Sequence, residues 1–185
     1  MKKVVLLGDS IRLIGYGNAV AEALRGDFEV WQPESNCRFA KHTFRQLYDH
    51  KNEIAGADII HWNNGLWDVH RAVDRDVFTP MDQYVEDMVR IAKLLLQQAK
   101  TVIFATTTPV REEKEHFDNR DIVAYNAALL PRLQELGVVI NDLHTLVSED
   151  PQRYICDDLV HLSEDGIALC AKQVEYIIRQ QAEKL

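Results

Sequence analysis

Two rhythms of apolar and polar residues alternate along this chain. Short, almost unbroken apolar runs occur at residues 4–7 (VVLL), 28–31 (FEVW), 58–62 (DIIHW), 101–110 (TVIFATTTPV, stopped by Pro109) and 138–140 (VVI). Between them lie longer stretches whose apolar residues recur three and four apart, which is the helical period. These span about 11–24, 42–50, the segment opened by Thr79 and Pro80, 121–136, and a last segment beginning near Ser163. Met81, Val85, Met88, Val89, Ala92 and Leu95 share one face of the third; Ile167, Cys170, Val174, Ile177 and Ile178 turn inward from the last. Pro33 closes the second strand, and Gly137 suits the position just past a helix end. The segment "REEKEHFDNR" keeps neither rhythm and reads as a charged, mobile loop.

Strand followed by helix, five times, predicts parallel strands with right-handed crossovers, because hairpins cannot join parallel neighbours. Strands this apolar need cover on both faces. The expected fold is a three-layer α/β/α sandwich around a five-stranded, parallel, doubly wound, flavodoxin-like sheet. Its 185 residues suit one core and one domain, 1–185. In such sheets ligands bind beyond the carboxyl ends of the strands, near a topological switch point. That rim would hold Gly8-Asp9-Ser10, "ESNCRFAK", "NNGLWD", "TTTPV" and the segment after the fifth strand.

Composition removes several classes of function. A formal net charge of -8 offers no basic face to phosphates, so no nucleic-acid partner is expected. The three cysteines show no CxxC spacing and read as reduced thiols. The apolar run after Met1-Lys2-Lys3 breaks at Gly8, short of the ~7–15 residues of a signal-peptide core. No run approaches the ~18 apolar residues of a membrane span. A cytoplasmic protein with no membrane partner is expected, and nothing in the pattern selects an oligomeric state.

Ser10 stands where the first strand turns into the first helix. Locally, Asp9 or Ser10 as a helix cap explains the triplet well enough. A nucleophilic serine needs a base within hydrogen-bond reach and a third group to orient that base. "CDDLVHLSEDG" supplies both on one short loop, His161 with Asp158 three residues before it, and Asp157 as the other carboxylate. An acyl-transfer site also needs donors for a developing oxyanion. The Ser10 N–H is one, and Asn63 and Asn64 follow a buried strand directly. His61 lies inside that strand and reads as a hydrogen-bonded core residue. The acidic pair Glu164 and Asp165 is explained by a helix start, so no metal and no cofactor are expected.

Taken together, these residues resemble the SGNH hydrolases, also called GDSL esterases and lipases. Gly8-Asp9-Ser10 is similar to that family's first block, and Asp158-Leu-Val-His161 followed by "LSEDG" to its last. "TTTPV", "YNAAL" and "GVVINDL" look like the blocks between. The resemblance implies a serine esterase with Ser10 as nucleophile, His161 as base and Asp158 as its orienting carboxylate. Its second block usually ends in a glycine whose N–H serves the oxyanion, and "NCRFAK" puts Lys41 there. Its third block usually reads Gly-x-Asn-Asp, whereas this chain reads "NNGLWD", so Asn63 or Asn64 would take the amide's place.

Asp9, Arg12, Trp67 and Asp68 are the candidates for substrate contact, Trp67 by stacking on a sugar or acyl group if it is not simply packed. The expected substrate is a small polar ester, most simply an O-acetyl group on a carbohydrate. A lipase or thioesterase of the same family and a silent flavodoxin-like binding module are the alternatives. A flavin or nucleotide site would require a phosphate-cradling loop, and "GDSIRLIGYG" has neither a Walker lysine nor GxGxxG spacing.

Overall fold

A computed structural model describes residues 1–185. The apolar runs become β1 (Lys2–Gly8), β2 (Phe28–Trp31), β3 (Ala57–Asn63), β4 (Ala99–Ala105) and β5 (Val139–Asn141). They form one parallel sheet in the order β2-β1-β3-β4-β5. Val4, Val5, Leu6 and Leu7 of β1 are fully buried, as a central strand covered on both faces must be.

The connections are helical. A π-helical turn (Ile11–Tyr16) and α1 (Gly17–Ala23) follow β1; α2 (Ala40–Asp49) and α3 (Lys51–Ile54) follow β2; α4 (Leu66–Val69) and α5 (Met81–Leu96) follow β3. After β4 comes α6 (Asn119–Glu135), and after β5 come α7 (Leu143–Ser148), α8 (Pro151–Tyr154) and α9 (Glu164–Ala182). α1 packs on α9, while α2, α5 and α6 form the layer on the other side. No helix is long and apolar enough to cross a membrane.

The chain enters at β1, steps outward to β2, then crosses back to β3 on the other side of β1. The switch point therefore lies between the ends of β1 and β3, where Gly8 pairs with Asn63. At that pair the Asn63 side chain lies against the Gly8 Cα. A Cβ on Gly8 would overlap Asn63 Oδ1, so only glycine fits there.

Two details differ from the sequence expectation. The helix expected over 11–24 is broken, because Gly15 leaves helical dihedrals (φ -100, ψ -117) and the first turn widens into a π-turn closed by Gly17 N–H on Arg12 O. Between β5 and α9 the chain forms α7 and α8, each started by an aspartate cap: Asp142 accepts from Thr145 N–H and Asp150 from Arg153 N–H. Helices of one or two turns are too short to show a hydrophobic period.

Candidate active site

Ser10 sits at the head of the π-turn, two residues beyond the end of β1. The loop between α8 and α9 faces it from the far end of the sequence. That loop is a tight, internally bonded turn. Ile155 and Leu162 form an antiparallel bridge, Cys156 N–H donates to His161 O at 2.8 Å, and Leu159 takes a positive φ of 71°. Arg111 N–H holds the turn from outside through Leu159 O at 2.9 Å.

This folding brings the three-residue spacing of Asp158 and His161 to hydrogen-bond distance. His161 Nδ1 lies 2.5 Å from Asp158 Oδ2, and His161 Nε2 lies 2.9 Å from Ser10 Oγ. Asp158 Oδ1 accepts from Val160 N–H and His161 N–H, both at 2.9 Å, and from the Cys156 thiol at 3.2 Å. Partial burial works against the charge on Asp158. The hydrogen bonds from the His161 ring, from the two N–H groups and from Cys156 outweigh it, and the carboxyl is held well below the usual carboxylate range. An ionised acceptor on Nδ1 leaves Nε2 free to accept from the serine hydroxyl. The Asp157 side chain projects into solvent, 3.7 Å from Arg111, and takes no part.

Other expected residues lie elsewhere. Asp9 is buried: its Oδ1 accepts from Ile11 N–H at 2.9 Å and Asn63 Nδ2 at 2.7 Å, and burial pushes its carboxyl up to about 6 against those bonds. Arg12 is wholly buried and donates to Pro33 O and Ser35 O, each at 2.8 Å, and to Gly8 O at 3.2 Å. It ties the loop after β2 to the end of β1 and cannot reach a ligand. Asp68 is also wholly buried and caps α2 through Ala40 N–H; burial raises its carboxyl to about 7 despite hydrogen bonds from Thr79 and Ala40.

The two asparagines are committed inward as well. Asn63 accepts from Tyr16 Oη at 3.0 Å while its Nδ2 serves Asp9. Asn64 accepts from Trp62 Nε1 at 2.6 Å and Thr43 Oγ1 at 2.9 Å, and donates to Arg38 O at 2.6 Å. Lys41, whose N–H was the expected donor, is the second residue of α2 and is not among the residues that line the cavity at Ser10; its side chain joins a separate groove with Phe44, Tyr48 and Arg90. His61 is fully buried, its Nε2 3.2 Å from Asn141 Nδ2, and burial lowers its pKa to about 3. It is the neutral core histidine the sequence suggested.

Ser10 and His161 open into a cavity of about 560 Å³ whose other walls include Asn36, Trp67, His70, Lys114 and Phe117. Trp67 is 42% exposed, with the Arg38 guanidinium 5.9 Å from its ring centre. Sequence reasoning missed four of these five. Asn36 lies in the "ESNCRFAK" segment, ahead of α2 and nearer the chain start than Lys41, the position picked there. Its Oδ1 accepts from Arg38 N–H at 2.7 Å, so the amide nitrogen is turned the other way and bonds nothing in the protein. Lys114 and Phe117 come from the charged segment read as a loop, which folds over the site; Lys114 Nζ donates to Asp158 O at 3.0 Å. Nothing in the spacing of that segment marks those two residues.

Strand order and switch point define a doubly wound α/β architecture, and solved structures share that fold. A lipase/acylhydrolase from Enterococcus faecalis superposes with a TM-score of 0.83 at 16% identity, covering 98% of this chain and 97% of its own. An acetyl xylan esterase gives 0.80 at 20% identity, covering 95% and 99%. A GDSL-like lipase from Bacteroides thetaiotaomicron gives 0.75 at 15% identity, covering 97% and 88%. No protein-family model matches the chain, and no curated protein matches it in sequence. At such identities the likeness establishes the fold: this chain has the α/β fold of the GDSL-like, or SGNH, hydrolases, over nearly its whole length.

Proposed function

We propose that this protein is a serine ester hydrolase working through an acyl-enzyme, with Ser10, His161 and Asp158 as its catalytic residues. The observation that carries this reading is the unbroken relay from Asp158 Oδ2 to His161 to Ser10 Oγ, at 2.5 and 2.9 Å, on the wall of an open cavity.

In this mechanism Ser10 Oγ attacks the ester carbonyl carbon as His161 Nε2 takes its proton, and the carbonyl π electrons move onto oxygen. Asp158 stabilises the imidazolium and keeps its tautomer. Collapse of the tetrahedral species expels the alcohol, which receives the proton from His161. Water then attacks the acyl-serine with His161 again as base, releasing the acid and restoring Ser10. The Ser10 N–H, among the first amides of its helical turn, has no intrahelical acceptor and supplies one donor to the oxyanion. Asn36 Nδ2 supplies the second. It replaces Asn63, Asn64 and Lys41 in that role, because it is the amide on the cavity wall with a free nitrogen.

The substrate in this reading is a small polar ester, of which an O-acetyl carbohydrate is the simplest. The half-exposed Trp67 offers a face for a sugar ring, and a similar solved structure is an acetyl xylan esterase. The test is kcat/KM across esters from acetyl to octanoyl, run beside acetylated sugars. A steep fall as the acyl chain lengthens supports the reading. A steady rise toward octanoyl replaces it with a thioesterase or with a lipase, the latter an activity in the names of other similar structures.

A further inference from the structure

The protein as a whole is acidic, yet the wall of the Ser10 cavity carries positive charge and no acidic side chain. Lys114 supplies the charge in its lining, with the uncharged His70 beside it, and Arg38, just outside the lining, stands with its guanidinium 5.9 Å from the ring centre of Trp67. Other cations nearby are already neutralised: Arg71 pairs with Asp121 at 2.5 Å, and Arg111 faces Asp157 at 3.7 Å. Lys114 and Arg38 have no such partner among the ion pairs. Of the acidic neighbours of Lys114 in its own loop, Glu112 and Glu113 line a separate groove with His144 and Gln152, and the exposed Glu115 is not among the residues that line this cavity.

Lys114 is also positioned. One ammonium N–H is spent on Asp158 O at 3.0 Å, which fixes the side chain over the triad and leaves two donors. Beside it, His70 stacks edge-on to Phe117 with ring centres 5.0 Å apart and lies 5.9 Å from His116. Burial, then the charges of His116 and Lys114, keep His70 below its ordinary pKa, so near neutrality it is a further uncharged hydrogen-bonding group. Asn36 completes a cavity rich in donors and short of acceptors. A neutral polyol presents donors and acceptors equally and would leave these cations unmatched.

We infer that the natural ester is anionic, carrying a carboxylate beyond the scissile bond that Lys114 and Arg38 bind, as in an O-acylated sugar acid. This rests on the esterase reading above and names the class of substrate for that same site. The carboxylate is unchanged in the reaction; it orients the ester carbonyl toward Ser10 Oγ. A charge-assisted contact is the strongest kind of hydrogen bond, and one in an open cavity is screened by salt.

The test compares acetate release from an O-acetylated uronic acid and from its neutral uronamide, with 4-nitrophenyl acetate as an activity control. At low ionic strength the acid should be preferred by about tenfold in kcat/KM, and the preference should shrink as salt rises. Lys114→Met should remove most of that ratio, Arg38→Gln part of it, and Lys114→Glu should invert it. Because the ratio is taken within each variant, a general loss of turnover cancels. Equal or poorer use of the acid by the unmodified protein overturns the inference and leaves the esterase reading standing. So does a preference that survives both Lys114→Met and Arg38→Gln, or hydrolysis of 4-nitrophenyl acetate with neither sugar cleaved. If the activated acetate is not cleaved either, the esterase reading falls and takes this inference with it.

Discussion

The turn between α8 and α9 and the end of β3 are both dense in polar side chains, and both lie at the carboxyl rim of the sheet. They use those side chains in opposite ways. In the turn, Asp158 and His161 stay partly exposed, with 47% and 30% of their side chains accessible, and their hydrogen bonds point toward Ser10. At the end of β3, Asn63, Asn64 and Asp68 are buried and their hydrogen bonds close on Tyr16, Asp9, Thr43, Trp62 and Ala40. One region aims polarity at a ligand; the other uses polarity to hold strand, loop and helix in register beneath it. Rim position alone therefore does not make a polar residue functional. What separates the two is whether a donor or acceptor is left over after the protein's own groups are satisfied.

Substitutions should divide along the same line. The largest effect belongs to Ser10→Ala, which should lower turnover of an activated acetate by roughly four to six orders of magnitude while Tm stays put. A fluorophosphonate probe should label Ser10 alone, and an adduct mapped to another residue would break the comparison at its first step. Next, Asp158→Asn should cost about 10²–10⁴ in kcat, with the protein folded, since the imidazole loses the acceptor that sets its tautomer. Asp157→Asn should change little, because Asp157 points to solvent. A reversed result for these two neighbours would move the orienting role by one residue.

The third contrast pits Asn36 against the β3 asparagines. Asn36→Ala should lower kcat by about 10²–10³ with KM little changed, the signature of a lost oxyanion donor. Asn63→Ala and Asn64→Ala should instead lower stability by about 1–3 kcal/mol each, read from urea midpoints, because Tyr16 Oη, Trp62 Nε1 and Arg38 O would lose their side-chain partner and Asp9 would keep only Ile11 N–H. Full stability with lost turnover in either β3 variant would return the oxyanion role to that strand.

The smallest effect concerns pH. Asp68, raised from 3.8 to about 7, and Asp9, raised to about 6, hold protons in the folded state that the unfolded chain has already released. The contribution of these two groups should therefore fall as pH rises from about 4 to 7 and level off above that, while His61, kept neutral by burial, contributes in the opposite sense between about 3 and 6.5. Asp68→Asn keeps an acceptor for Ala40 N–H and should flatten the slope, so that the variant exceeds the natural protein in stability at pH 8. Parallel stability profiles for the two proteins would show that Asp68 does not titrate in this window.

Much of this molecule was legible in its sequence because the relevant signals are short-range. All-apolar strands, three-and-four spacing, Gly137 after α6 and Ser163 capping α9 each depend on neighbours within a turn or a strand, and they lead to five strands, their parallel pairing and the helices between. The Asp158 and His161 pair was readable for the same reason, since three residues on one tight turn can meet in only a few ways. The short helices α7 and α8 and the break at Gly15 were not readable, being too brief to carry a period.

The rest depended on contacts between segments far apart in the chain. That Ser10 meets His161, 151 residues away, required the sheet to close and both loops to reach one rim. Which polar residues remain free at that rim depended on who was near them. Arg12 is consumed by the loop after β2, Asn63 by Asp9 and Tyr16, and Asp68 by α2, while Asn36 and Lys114 keep unspent donors toward the cavity. A side chain's identity sets what it can donate or accept, and the sequence states that for every residue. Whether that capacity is used up inside the fold or left for a ligand is a property of its tertiary partners, so it was decided only once the chain was folded.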